Sequence, residues 1–518
     1  MNPEQAYQEL LHRARELALI GSANAVLGWD QEVNMPPKGA RWRAEQSAYL
    51  SGLAHRKATA PEIGDLLNAI EESELVSDPL SDVAVNVREW RRSYDRATKL
   101  PTEFVERFSR TASLAQNVWA QARAQADFNL YAPKLAELIE LTRQKAEYYG
   151  YEDKPYDALL DEFEPGEKTE NVKQLFAGLR KELVPFLQEL INAPKQPDRS
   201  IVEGRSYDVE RQRILGEMAS AAFGLDYASA RLDVSTHPFS TNFGPGDQRI
   251  TTRFDPHNFG DSFFSILHET GHALYEQNLP DEFFGLPRGE AVSLGIHESQ
   301  SRTWENLVGR SEAFWRHFFP LTRQLFPKTL ADVKMEDFHF AVNAVKPGYI
   351  RVDADEVTYN LHIMLRFEIE QAIINEGLPV EEIPATWNAL FKEYLGLDVP
   401  DDSKGVLQDI HWSFGAMGYF PTYALGNLYG AQFFAQARQD IPDLDVHFAT
   451  GNFEPLLNWL RQHIYQHGQR YRAQELVQII TGEPLSYKPL MRYLRNKYGK
   501  LYGISVDHNC SNRAEPDP

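Results

Sequence analysis

Asp261-Ser-Phe-Phe-Ser-Ile-Leu-His-Glu-Thr-Gly-His-Ala-Leu-Tyr275 decides how the rest of the chain is read. Phe264, Leu267, Gly271 and Leu274 recur at helical spacing and make one buried seam, with Asp261 or Ser262 placed to cap the N-terminus. Inside this helix lies the pattern H-E-x-x-H. His268 and His272 are four residues apart, so both imidazoles face one side, where they can share a metal ion. Glu269 stands about 100° further round the helix, close to the metal without competing for it, which is the place of a general base for the attacking water. A centre of this kind needs a third protein ligand and a fourth position left for water. Gly295-Ile-His297-Glu298-Ser299-Gln300 opens a second predicted helix running through Trp304 and Leu307, and Glu298 can fold back to complete a His, His, Glu set.

On the N-terminal side of this centre, Leu232–Thr236 and Arg249–Phe254 alternate like strands, with Gly244-Pro245-Gly246 between them. They predict a small antiparallel hairpin just before the metal helix, either a plain structural one or an edge that adds an extended peptide as a further strand. Further upstream, residues 4–53 read as helix broken near Asn34-Met-Pro-Pro-Lys-Gly39, preceded by Trp29 as a core tryptophan with capping acids beside it. Residues 62–127 continue as charged amphipathic segments such as Val83–Lys99. A helix begins around Pro133, which suits a first turn. Another runs from Val172 to Leu190 with a kink expected at Pro185. Ala193–Ser200 reads as a loop between an N-terminal helical region, 1–200, and a region, 201–505, that carries the metal and substrate motifs.

Downstream, Val357–Ile374 is a predicted helix bearing a polar stripe, Thr358, His362, Arg366 and Glu370, at steps of four. Such a stripe either lines a wet groove or is a solvated face with paired charges. Residues 380–435 are helical with aromatic-rich loops, and Leu456–His467 is a later helix. The segment 506–518 is a polar tail expected to be disordered.

Composition narrows the function. The 518 residues carry 53 Lys plus Arg against 74 Asp plus Glu, a net charge of -21, which argues against nucleic acid or an anionic membrane as partner. One cysteine, Cys510, excludes an internal disulfide framework and a cysteine-based zinc site. The N-terminus lacks the apolar core of a secretory signal, and no apolar run approaches bilayer length, so the expected location is the cytoplasm. A His/His/Glu metal with an adjacent glutamate fits peptide-bond hydrolysis, in which the metal polarises the scissile carbonyl while Glu269 moves a proton from water to the leaving amine. Oxyanion donors are sought in Gly405–Trp412 and Gly418–Tyr423.

His237-Pro-Phe239, Asp247-Gln-Arg249-Ile-Thr251, the H-E-x-x-H run, His297-Glu-Ser-Gln300 and Gly405-Val-Leu-Gln-Asp-Ile-His411-Trp412 follow one another in the order of the signatures of the carboxypeptidase Taq family of thermostable metallocarboxypeptidases. Trp29-Asp-Gln-Glu, Leu160–Gly166 and Ile350–Glu356 add to the likeness, so the chain resembles that family from about residue 20 to about residue 505. The resemblance implies a mainly α, two-lobed peptidase with a deep, neurolysin-like substrate groove and a small sheet beside the metal helix, forming a single catalytic unit over 1–505. It implies Zn2+, with Co2+ also supporting activity, a homodimer, and release of single C-terminal residues with broad specificity. By motif, His268, His272 and Glu298 would be ligands, Glu269 the base, and His411 with Tyr423 the oxyanion helpers, Tyr419 competing with Tyr423.

A carboxypeptidase must also hold a free carboxylate, for which the arginine fork is suited. Arg351 and Arg249 are the candidates and Arg366 a weaker third, while the resemblance implies that His237 and Arg249 help close the groove. An endo-oligopeptidase using the same chemistry is the alternative. An aminopeptidase fits less well, because Gly415-Ala-Met-Gly-Tyr419 lacks the Glu and Asn of a Gly-x-Met-Glu-Asn strand. A non-catalytic peptide binder would have no use for Glu269.

Overall fold

A computed structural model describes residues 2–504, so the 506–518 tail and Cys510 lie outside the described residues. Helices dominate. The first, Pro3–Val33, starts where the Asn2 side chain accepts from the Gln5 amide and Pro3 occupies the first turn. It stops at Asn34 and resumes as Ala40–Ala58, as the Pro-Pro-Lys-Gly break predicts, and Arg43 reaches across to Asp30 at 2.6 Å. Asp30 therefore braces the two helices with its side chain instead of capping one.

Two apolar clusters form among the described residues. The smaller joins Ala6 and Leu10 to Ile63, Leu66, Leu67 and Ile70 of helix Pro61–Glu71 and to Val87 of helix Asp82–Lys99. The larger runs from Ala112 to Tyr502, straight across the 193–200 loop. Helix Phe128–Tyr149 holds Pro133 in its second turn and not its first. Its cap is the upstream Asp127, whose carboxylate accepts from the Asn129 amide, while Phe128 donates to Asp402. Helix Thr169–Ile191 runs through Pro185. No helix among the described residues is long and apolar enough to cross a membrane.

The sheet differs from the predicted hairpin. Strands β1 (Ala230–Val234), β2 (Ser240–Asn242) and β3 (Gln248–Thr252) lie in the order β1-β3-β2. β1 and β3 are parallel, with Leu232 opposite Ile250, and the antiparallel partner of β3 is β2, with Thr241 opposite Arg249. Three residues with no apolar alternation gave β2 no signal of its own. It nevertheless precedes the turn at Gly244 and Gly246, both at positive φ, and so takes the hairpin position beside β3.

The metal helix is Phe259–Gln277. It is capped by Asn258, whose side chain accepts from Gly260, and not by Asp261 or Ser262. Those two look outward from the helix: Asp261 pairs with Arg253, and Ser262 donates to Gln212. The following helix, Leu294–Arg302, is capped by Ser293 and continues as a π-helical turn, Thr303–Val308. Glycines let these backbones touch. A Cβ on Gly271 would lie 2.5 Å from the Gln300 carbonyl oxygen and from the Ser301 Cα. On the other side, helix Pro421–Asp440 brings Gly426 against Glu298, where a Cβ would meet the Glu298 Cγ at 2.6 Å.

Candidate active site

The crossing at Gly271 sets His268 and His272 opposite Glu298. The His268 Nε2 is 3.7 Å and the His272 Nε2 3.5 Å from the Glu298 Oε2, and one ligand atom of each residue lies within 4.8 Å of the others. The far sides of both imidazoles are occupied: His268 Nδ1 meets Glu305 Oε2 at 3.0 Å, and His272 Nδ1 meets His297 Nδ1 at 2.6 Å. Both Nε2 atoms therefore turn toward the one carboxylate, an arrangement of converging acceptors that a divalent cation would satisfy. The donor set of two nitrogens and one oxygen fits such an ion.

Arginines balance the acids behind this set. Arg302 donates to Glu298 at 2.8 Å and to Glu305 at 3.0 Å, and Arg310 reaches Glu305 at 3.3 Å. Burial alone would raise both carboxyls. Arg302 and the imidazoles overcome it, holding Glu298 far below the usual carboxylate range and Glu305 down at about 2. Glu269, equally buried but with no arginine bonded to it, is pushed up to about 7 by burial, with His268 opposing that rise. Burial also lowers His272 to about 4, which leaves it an uncharged donor of its lone pair.

Two buried glutamates fix the approaches. Glu164, in the Leu160–Gly166 run, accepts from Ser293 Oγ, Gly295 N and Tyr429 Oη, tying down the start of the helix that carries Glu298. Glu370 accepts from Tyr156 Oη, Trp412 Nε1 and Gly418 N, and so anchors both the His411–Phe414 turn and the loop before Tyr419. Thr358, His362, Arg366 and Glu370 are all 0% exposed, so the polar stripe is neither a solvated face nor a groove lining. It is an internal brace, whose Arg366 and Glu370 are spent on partners that include Asp409, Trp412 and Gly418.

On that brace the second group of predicted residues assembles. Tyr423 Oη is 3.4 Å from His411 Nε2, and the Tyr419 ring lies 5.3 Å from the rings of both. Burial lowers His411 to about 4, so it is neutral near pH 7. Arg351 lies 5.0 Å over the Tyr423 ring, donates to Tyr359 Oη at 3.1 Å, and shares Asp409 with Arg366. Tyr359 joins the two groups, because Arg302 stacks on its ring at 4.3 Å. Arg249 lies on β3, and His237 lies in the connection between β1 and β2. Arg249 pairs with Asp247 and stacks on Trp29 at 4.8 Å, and His237 is exposed; neither hydrogen-bonds to the metal set or to His411 and Tyr423 among the described residues.

Residues that sequence reading did not assign roles to are Glu305, Arg302, His297, Tyr359 and Asp409. Glu298, Arg302 and Glu305 fall at i, i+4 and i+7, a one-face spacing that could have marked them. Tyr359 and Asp409 carried no such local sign.

Comparison with known proteins gives one consistent answer. The model of the carboxypeptidase Taq (M32) metallopeptidase family matches residues 9–498. Thermostable carboxypeptidase 1 of Thermus thermophilus is 48% identical over 512 residues, 97% of this chain and 100% of that protein. Carboxypeptidase 1 of Bacillus subtilis is 36% identical over 96% of this chain and 98% of its own. Among solved structures, the M32 carboxypeptidase from Deinococcus radiodurans R1 superposes with a TM-score of 0.93 at 42% identity, covering 96% of this chain and 100% of that one. Trypanosoma cruzi metallocarboxypeptidase 1 does so with a TM-score of 0.90 at 35% identity, covering 95% and 99%.

Proposed function

The chain belongs to the carboxypeptidase Taq (M32) family and is a metallocarboxypeptidase; from that premise we propose how its residues divide the work. His268, His272 and Glu298 hold the divalent metal, taken to be Zn2+ with Co2+ as a working substitute, on the strength of their converging nitrogen and oxygen donors. When bound there, the metal would supply a Lewis acid that lowers the pKa of a water and polarises the scissile carbonyl.

Glu269 takes the proton from the attacking water and delivers it to the leaving amine. Its carboxyl, pushed up to about 7, is poised for both transfers near neutral pH. Tyr423 Oη and the neutral His411, 3.4 Å apart, donate to the carbonyl oxygen as it gains charge. Tyr419 packs against them and shapes the bound residue. Arg351 holds the terminal carboxylate of the peptide, and Arg249 on β3 with His237 in the β1–β2 connection closes off the groove.

The single observation that carries this reading is the convergence of the three ligand atoms with Glu269 buried beside them. We take residues 1–505 as one catalytic unit, since the larger core crosses the 193–200 loop. A cytoplasmic homodimer is proposed with it. A chain with one cysteine and a net charge of -21 suits that compartment, and the dimer rests on family likeness.

The test uses the metal-loaded enzyme and one N-acetylated peptide with a free or an amidated C-terminus, followed by mass spectrometry. Stepwise loss of single C-terminal residues from the free acid alone is expected. Internal cuts in both peptides would overturn the one-residue exopeptidase action in favour of an oligopeptidase.

A further inference from the structure

The two imidazoles facing Glu298 are braced differently. His268 leans directly on a carboxylate, Glu305. His272 leans on a second imidazole, His297, whose Nε2 is 2.8 Å from Glu276 Oε1, while Glu276 Oε2 accepts from Asn242 Nδ2 at 2.8 Å. A line of four side chains thus runs from β2 of the sheet to His272.

The polarity of this line is set from its far end. The Glu276 carboxylate only accepts, and its other oxygen already takes an N–H from Asn242, so His297 Nε2 must carry the hydrogen that faces it. With the ring's hydrogen held on Nε2 by Glu276, Nδ1 is the His297 nitrogen left to accept. His272 Nδ1 must therefore be the donor, and His272 Nε2 is left bare on the side of Glu298. Tyr275, itself 0% exposed, packs on the His297 ring at 5.2 Å and keeps it from turning away.

We infer that His297 is a positioning residue that selects the metal-binding tautomer and ring orientation of His272, with Glu276 and Asn242 as its anchor. This rests on the assignment of His272 as a metal ligand made above. Beside Glu298, its neighbour in the chain, His297 points to the opposite side of the same ligand. The two adjacent residues therefore serve the metal from front and back, one by binding it and the other by holding His272. The β2 strand acquires a further role, since its Asn242 fixes the end of the line.

The test is metal affinity, measured by competition with a chelator on the full chain, with the absorption spectrum of the Co2+-loaded protein as a second readout. His297→Phe removes the acceptor and keeps the ring, and His297→Asn keeps an acceptor oxygen near the Nδ1 position. Loss of affinity on the order of 10–100-fold and an altered Co2+ spectrum are expected for His297→Phe, with near-normal affinity restored in His297→Asn and an intermediate loss in Glu276→Gln. The unfolding midpoint of each metal-free variant should stay at the parent value, which separates positioning from general stability. Equal affinity in the parent and His297→Phe would overturn the inference, as would equal losses in the Phe and Asn variants. If His297→Phe does not fold, unchanged affinity and spectrum in Glu276→Gln overturn it instead. Metal binding that survives His272→Ala is a separate result: it would overturn the ligand assignment itself.

Discussion

Glu269 and Glu298 are both 6% exposed and lie beside the same imidazoles, yet their carboxyls are driven in opposite directions. Burial penalises both charges. Arg302, 2.8 Å from Glu298, together with His268 and His272 more than offsets that penalty there, whereas Glu269 has no arginine bonded to it and rises to about 7 against the pull of His268. The contrast suits the two roles proposed for them: a ligand has to stay ionised, and a base has to release what it takes. Glu269→Gln keeps the volume and removes the base. Its kcat should fall by about 10²–10⁴-fold while bound metal, measured by atomic emission, stays at the parent level. Near-parent kcat in that variant would remove Glu269 from the mechanism.

Helix against helix, the site depends on close approach. Glycine at 426 lets helix Pro421–Asp440 lie directly on the Glu298 side chain, where a methyl group would intrude at 2.6–2.7 Å on its Cγ and Cβ. Gly426→Ala should cost about 1–3 kcal/mol in denaturant unfolding and weaken metal binding, because the atoms it displaces are those of a proposed ligand. Unchanged metal affinity would mean that Glu298 has room to yield. The start of the ligand helix is held by Glu164, whose carboxyl burial pushes up to about 7. A folded value above the unfolded 4.5 means that this group stabilises the fold fully below pH ~4.5 and loses that contribution as pH rises through about 7. The stability advantage of the parent over Glu164→Gln should therefore shrink between pH 5 and pH 8 in urea titrations; an advantage that grows would contradict the assigned direction.

How far these elements were legible follows from how local they are. The His268–His272 pair with Glu269 beside it and the helix break at Asn34–Gly39 are written at short spacings, and the chain places them where the spacings say. Glu298 lies on a second helix that has to fold back against the first, which no short spacing records. The sheet failed because β2 owes its strand to pairing with β3 and not to its own residues Ser240–Asn242. The polar stripe failed for a related reason: a step of four reports one face of a helix but not what packs on it, and here Asp409, Tyr156 and Trp412 come from distant parts of the chain.

At the scale of the molecule, two apolar clusters of very different size among the described residues are joined by charge. The smaller holds residues from Ala6 to Val87 and the larger runs from Ala112 to Tyr502. Between them, Asp82 takes Arg288 at 2.6 Å and Arg470 at 2.7 Å, Glu89 takes Arg472 at 2.9 Å, and Arg88 donates to the carbonyls of Gln469 and Arg470. Arg288 is 5% exposed, so removing its partner leaves a buried charge less well paired, whereas the larger cluster loses no apolar contact. The N-terminal helices should therefore be the first part to open, as a cooperative unit of lower stability. Asp82→Ala should speed amide hydrogen exchange in Pro61–Glu71 and Asp82–Lys99 and leave the metal helix Phe259–Gln277 at its parent rate. Added salt should act on the parent protein in the same direction but more weakly, since these pairs are only partly screened. Equal acceleration in the metal helix would show instead that the two clusters open together and that the polar seam transmits unfolding from one to the other.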